Sequence, residues 1–312
     1  MGVDYGEPFY FMYPLAQIII VIALYFLLRN RSRRLIYWVL FALFAFNFAL
    51  HFLKLLFYPY TGFTENERIR TITPENICAF NVMLFPFLYL SKKPALRDYM
   101  FYVGIISGFS ASWLPSMGDF DTTQAIAFDT VRFYTCHGIL WTVPLLMVML
   151  GEHKLNYRRI WQTPLMYFVA LMVVLVNNYA MQRMGYWKSN SISNNGYTVG
   201  PPDEIVNSGI GKFVLALVPS WFKPSGDNGN YWPVAWQIFP VFIIGCPLAF
   251  LIGLPFEYKR FYSDIIYIFS CIRLGVKILR FGRRKCRYRL KYGAPLRVRF
   301  KAKLSALIKR KR

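Results

Sequence analysis

Two residues of this chain are of the right types for nucleophilic chemistry: Cys78, in Pro74-Glu75-Asn76-Ile77-Cys78, and His137, in Tyr134-Thr135-Cys136-His137-Gly138. A thiol whose proton is taken by a nearby imidazole attacks esters and thioesters. Two apolar segments separate the residues, so they occupy different helices; the competing reading is that they never meet. The other cysteines (Cys136, Cys246, Cys271, Cys286) form no Cys-x-x-Cys pair, which indicates neither a zinc site nor a disulfide framework. There is no Walker-type phosphate loop and no Gly-x-Ser-x-Gly elbow, and no metal or cofactor is expected.

The elements that must position these residues are membrane spans. The 312 residues are 56% hydrophobic and 19% aromatic, which predicts an all-α polytopic membrane helix bundle. Seven transmembrane helices are expected, near 9–28, 35–57, 76–90, 99–114, 131–150, 164–181 and 234–256. They make a transmembrane domain of residues 1–256, followed by a cytoplasmic basic amphipathic tail, 257–312. Asp4 and Glu7 precede the first run and no small-residue cleavage site follows it, so it reads as a retained span. Gly104, Ser107, Gly108, Ser110 and Ser112 would let the fourth span pack closely. Connections after spans one, three, five and seven are basic (Arg29 to Arg34; Lys92, Lys93 and Arg97; Lys154 to Arg159; the tail). Those after two, four and six are mixed or acidic, with Asp119 and Asp121 in the second of them. The positive-inside bias then places the N-terminus outside and the C-terminus in the cytoplasm, across a plasma membrane.

That orientation collects polar groups at one depth. Asn47, His51 and Lys54 are spaced four and three apart on one face of span two. Asn76, Cys78 and Asn81 in span three, Arg132, Tyr134 and His137 in span five, Asn177 and Asn178 in span six and Gln237 in span seven share the outer half. The inner half is expected to be almost purely apolar. Ionisable groups at membrane depth cost several kcal/mol and usually face a cavity or a partner, which suggests an outer-leaflet pocket. The plainer alternatives are that Lys54 and Arg132 snorkel to headgroups, that Asn177 and Asn178 only hold helices together, and that Trp113, Trp141 and Trp236 are interface anchors. The tail holds 19 of the 37 Lys/Arg and 2 of the 15 acids. Its stripe of Arg273, Lys277, Arg280 and Arg284 suits anionic lipid headgroups. Too few apolar residues precede Arg273 for residues 262–281 to make an eighth crossing. No nucleic-acid-binding module is present, and no nucleic-acid partner is expected.

Pro74-Glu75-Asn76-Ile77-Cys78 resembles the Pro-Leu-His-Leu-Cys signature of the YwaF-like bacterial integral membrane proteins. Cys136-His137-Gly138 resembles the His-Gly of a later span in that family. The resemblance covers about residues 35–256 and leaves out the basic tail. It implies a distant similarity to animal transmembrane proteins thought to transfer acyl chains between phospholipids through a cysteine carrier. By that resemblance Cys78 would accept the acyl group and His137 would be a candidate base, with His51, Lys54 or Arg132 holding a phosphate or stabilising an oxyanion. The signature histidine is Asn76 here, which hydrogen-bonds but takes no proton at neutral pH. If that histidine is the general base of the family, this chain is impaired. Two classes of function therefore stand: acyl transfer on membrane lipids, or a transporter, lipid-binding or structural membrane protein using the same pocket without covalent chemistry. The lack of a clear internal repeat counts modestly against transport.

Overall fold

The computed structural model describes residues 8–113, 126–187, 197–201, 206, 208–223 and 231–292. Every regular element among them is helical. The acidic loop at Asp119 and Asp121 and the last basic residues of the tail lie outside this set. Among the described residues five helices are long and apolar enough to cross a membrane: Tyr10–Leu28, Arg33–Leu56, Phe128–Met149, Gln162–Arg183 and Ala235–Phe281. Ile77–Ser91 is apolar but shorter.

In chain order, α1 is Pro8–Leu28, α2 Arg33–Leu53, α3 Glu65–Thr71 and α4 Ile77–Ser91. They are followed by α5 Pro94–Gly104, α6 Ser110–Trp113, α7 Phe128–Met149 and α8 Gln162–Arg183. Then come α9 Gly209–Ala216 and α10 Cys246–Tyr292. Local chemistry sets most boundaries. Ser32 caps α2 through a bond from Leu35 N, and Thr64 with Glu67 forms a capping box on α3. The mixed loop expected after span two thus contains a short helix, and its Thr-x-x-Glu signal was present in the sequence. Pro94 opens α5, where its missing N–H costs nothing. Span four therefore starts before Tyr99, and Arg97 belongs to the helix rather than to a basic connection. A π-turn, Ile105–Phe109, joins α5 to α6. Gly151, at φ +78°, ends the turn after α7.

The helices alternate in direction. At one end of the bundle Lys54 after α2, the segment before α4 and the end of α8 are bonded together. The Tyr10 hydroxyl of α1 donates to Trp113 O of α6 at the same end. At the other end Arg97 donates to Tyr89 O of α4 and to Glu152 O after α7, both at 2.9 Å. Asp98 there lies 2.7 Å from His153 Nε2 and accepts from Arg159 Nε at 2.6 Å. Arg97, Asp98 and His153 are buried. This corrects the expectation of an almost purely apolar inner half. Arg159 and Asp98 lie far apart in sequence, so their pairing has no local signal.

The core runs down the α2–α4–α5–α7 interface, where Leu40, Phe85, Met100, Leu140 and Leu146 are fully enclosed. Gly104 and Gly108 bring the fourth span against the backbone of α7. The expected close packing is present. The seventh apolar stretch starts irregularly, with a 3-10 turn at Ala235–Gln237 and a π-turn at Val241–Gly245. Helix α10 then continues well past residue 256.

Internal contacts divide the chain into two units, Met1–Glu257 and Tyr258–Arg312. The second is helical through Tyr292 in the described residues. Arg273 and Arg280 are exposed on it, as are Ile272, Leu274, Val276, Ile278, Leu279 and Phe281. Lys277 and Arg284 lie on the same helix, their side chains outside the described set.

Candidate functional site

Cys78 stands at the second position of α4, directly after the first helical residue. Asn76 is the N-cap: its Oδ1 accepts from Ala79 N at 2.8 Å. That is the job Asn does well at this position, so its side-chain oxygen is committed to the helix. The helix start turns the positive end of its dipole toward the surroundings of Cys78. Cys78 is partly buried against the main core. Its sulfur lies within electrostatic reach of the Tyr99 and Tyr167 hydroxyls.

Register places the other residues by layers. A Cβ on Gly104 would sit 2.4 Å from Leu140 O and 3.1 Å from the Phe85 ring. Phe44 packs edge-on against Phe85 with centroids 5.9 Å apart. Phe44, Phe85, Gly104 and Leu140 thus form one apolar layer. One turn nearer the polar end lie Asn47, Asn81, Cys136 and His137, and Asn47 Nδ2 donates to Cys136 O at 3.2 Å across that layer. Cys78 is about 4.5 Å further out along α4, at 1.5 Å per residue. Cys78 and His137 therefore differ in depth by about one turn. His137 Nδ1 lies 2.9 Å from Phe133 O, and its ring packs on Phe133 at 4.1 Å between centroids. The described residues offer its Nε2 no hydrogen bond. A Cβ on Gly108 would meet His137 O at 2.7 Å, so the π-turn fixes the backbone that carries this ring.

Further out the residues become cationic. Lys54 Nζ donates to Thr71 O at 2.6 Å, and His51 Nε2 lies 3.1 Å from Ile72 O. Arg132 donates to Asp129 Oδ1 and to the Tyr60 hydroxyl, at 2.7 and 2.6 Å from Nη2. Tyr60 in turn donates to Asp129. Burial is the main influence that raises the Tyr60 pKa; Arg132 opposes it and Asp129 adds to it. Tyr60 is therefore a neutral donor at physiological pH. Lys54 and Arg132 both stand over its ring, 5.4 and 5.3 Å from the centroid. Lys54 and Arg132 thus stand over one aromatic ring, with Asp129 on Arg132 and Glu75 within electrostatic reach of Lys54.

The remaining sequence candidates are placed as follows. Asn177 Nδ2 donates to Thr73 Oγ1 and Asn178 Nδ2 to Glu75 O, tying α8 to the segment before Cys78. Gln237 accepts from the Tyr167 hydroxyl at 3.1 Å and donates to Tyr197 O at 2.7 Å. Tyr134 turns to α1 and stacks on Tyr13 with centroids 4.4 Å apart. Trp141 Nε1 donates to Gln17 Oε1, and Trp236 Nε1 to Tyr197 O, so both are tied into the fold. Sequence reasoning passed over Gln17, Tyr60, Tyr99 and Tyr167. The available signal for the tyrosines was general: a buried phenol needs a polar partner. Gln17, alone among apolar neighbours in α1, asked for one in the same way. The described residues contain no cluster of three or more His, Cys, Asp or Glu able to hold a metal.

The family model of the TMEM164 family matches residues 5–253. The chain belongs to the TMEM164 family. That match spans the bundle and the Cys78 and His137 motifs and stops short of the basic helix. TMEM164 is a transmembrane protein family, which supports a multi-pass integral membrane protein. It does not support the narrower YwaF-like bacterial assignment. No curated protein and no solved structure matches the chain.

Proposed function

We propose that this TMEM164-family protein transfers acyl chains between membrane lipids, with Cys78 as the acyl carrier and His137 as its base. The observation that carries the reading is the place of Cys78. It stands at the capped start of α4, partly buried, in the half of the bundle that also holds Lys54 and Arg132, and about one turn from His137 in depth. The helix start stabilises negative charge developing there, and the Lys54–Tyr60–Arg132 cluster nearby suits a phospholipid phosphate. The resemblance of the Asn76–Cys78 stretch to a family distantly similar to acyl-transferring proteins points the same way.

The test is a reconstituted assay. Protein in vesicles receives a diacyl phospholipid with a labelled chain and an unlabelled lysophospholipid. Label should pass to the lysophospholipid through a protein-bound, hydroxylamine-labile intermediate. Transfer without such an intermediate overturns the covalent reading.

We place seven spans in the plasma membrane, six in α1, α2, α4, α5–α6, α7 and α8 and the seventh from about 234 to 256. The end that holds Lys54 and Arg132 faces out. The support is the charge of the connections: Arg29 to Arg34, Lys92, Lys93 and Lys154 to Arg159 all fall at the other end. An impermeant maleimide on intact cells should modify Gly62→Cys and spare Lys154→Cys, each in a background without other cysteines. The opposite pattern reverses the orientation.

The basic helix is proposed to bind anionic headgroups, its exposed Arg273 and Arg280 lying beside exposed apolar side chains. A peptide of residues 258–292 should bind anionic vesicles and release them as salt rises above about 0.1 M, where screening acts within about 10 Å. Equal binding to neutral vesicles removes the electrostatic part of this assignment.

A further inference from the structure

We infer that Asn81 is a catalytic residue whose side-chain amide donates to the carbonyl oxygen of the acyl ester attacked by Cys78. This rests on the acyl-transfer reading and names the group that would hold the developing oxyanion. Three observations carry it. Cys78, Asn81 and Phe85 follow at spacings of three and four, which puts them on one face of α4. Asn81 is fully buried, and its Oδ1 accepts from the Tyr99 hydroxyl at 2.8 Å, which leaves its Nδ2 pointing elsewhere. That Nδ2 is buried and has no hydrogen-bond partner among the described residues. An unmatched buried amide donor costs about 1–3 kcal/mol. Here it lies one turn inward from a candidate nucleophile, with an apolar layer of Phe44, Phe85 and Leu140 beneath it. Tyr99, which locks the other end of the amide, is the same residue whose hydroxyl feels the Cys78 sulfur.

The acceptor this donor would take is the carbonyl oxygen of an ester attacked by Cys78. In the first step the Cys78 sulfur forms a bond to the carbonyl carbon and the C=O π pair moves onto oxygen. The oxyanion accepts from Asn81 Nδ2. It then re-forms the carbonyl and expels the lysophospholipid alkoxide, which takes the proton removed from the thiol. In the second step the hydroxyl of another lysophospholipid attacks the thioester and the thiolate leaves with that proton. The same donor serves both steps, and no oxidant or further reactant is consumed.

Tests use full-length protein in vesicles, and a phosphatidylcholine with a labelled acyl chain is the probe. Two rates are read: acyl-thioester formation, and alkylation of Cys78 by a small maleimide. Asn81→Leu keeps the branched shape and removes the donor. It should slow thioester formation by about 10²–10³-fold, the usual loss of one oxyanion donor, mainly in kcat and with unchanged alkylation. Asn81→Ala should match it, which covers the case where the leucine variant fails to fold. Tyr99→Phe removes the bond to Asn81 Oδ1 but keeps the amide donor, and should cost less than about tenfold. If Tyr99→Phe is as slow as Asn81→Leu, Asn81 acts only through packing and the proposal fails. It fails also if both Asn81 variants acylate within threefold of the unmodified protein. If the unmodified protein forms no thioester while its thiol still alkylates, the acyl-transfer reading itself has failed, a result distinct from the other two.

Discussion

Cys78→Ser is expected to abolish acyl transfer, by about a thousandfold or more, without changing expression or membrane insertion. Serine replaces one atom, stays at the second position of α4 and leaves the Asn76 cap intact, so the fold has little reason to respond. The chemistry has every reason, because a hydroxyl there is a far weaker nucleophile than a thiol and the protein must form and release the carrier ester at each turnover. The labelled-chain assay reads the loss directly, and hydroxylamine-labile label on the protein should vanish with it. His137→Ala should lower the same rate, since its ring lies within about a turn of Cys78 in depth and the described residues offer its Nε2 no hydrogen bond, whereas His51 Nε2 lies 3.1 Å from Ile72 O. The rival class predicts the reverse pattern. If the protein binds or moves lipid without covalent chemistry, Cys78→Ser will be nearly silent. Lys54→Ala and Arg132→Ala will then weaken association with phosphate-bearing lipids. That outcome removes the enzyme and keeps lipid binding.

Gly104→Ala should be among the most destabilising single-methyl changes in the chain. The added Cβ would stand 2.4 Å from Leu140 O, a backbone atom that cannot rotate away, with the Phe85 ring at 3.1 Å and Pro144 Cγ at 3.3 Å. Overpacking of this kind costs about 1–3 kcal/mol and more where backbone must shift. The better helix propensity of alanine returns only about 1 kcal/mol. The net effect is therefore a loss, and it should separate α5 from α7. Thermal unfolding in detergent should show a clearly lower midpoint. Gly62→Ala is the control: nothing lies within 4 Å of a Cβ there, and its effect should stay within about 0.5 kcal/mol. An unchanged midpoint for Gly104→Ala would mean that α5 does not lie against α7 as closely as described. Because Gly104 belongs to the same layer as Phe85 and Leu140, the floor beneath Asn81 should be disturbed as well.

The sequence already decides the class of the molecule. A chain so rich in apolar and aromatic residues can satisfy its backbone in lipid only through helices, and the runs are too long and too regular for strands. It also determined most helix positions, because Pro94, Asn76, Ser32 and Gly151 act within a turn of their own place in the chain. The alternation of helix direction followed from the charged connections, and the close fourth span from Gly104 and Gly108. What residues do to one another across helices was decided only by tertiary structure. Nothing local says that Arg159 should find Asp98, that Gln17 should bridge to Trp141, or that Lys54 and Arg132 should share the ring of Tyr60. Asn81 looked no different from Asn177 or Asn178, yet each of those donates to the segment before α4 while Asn81 keeps an unmatched donor. The cause is the same throughout. A hydrogen bond or ion pair is specified by two partners and a distance, and a single chain written in order carries only one partner at a time.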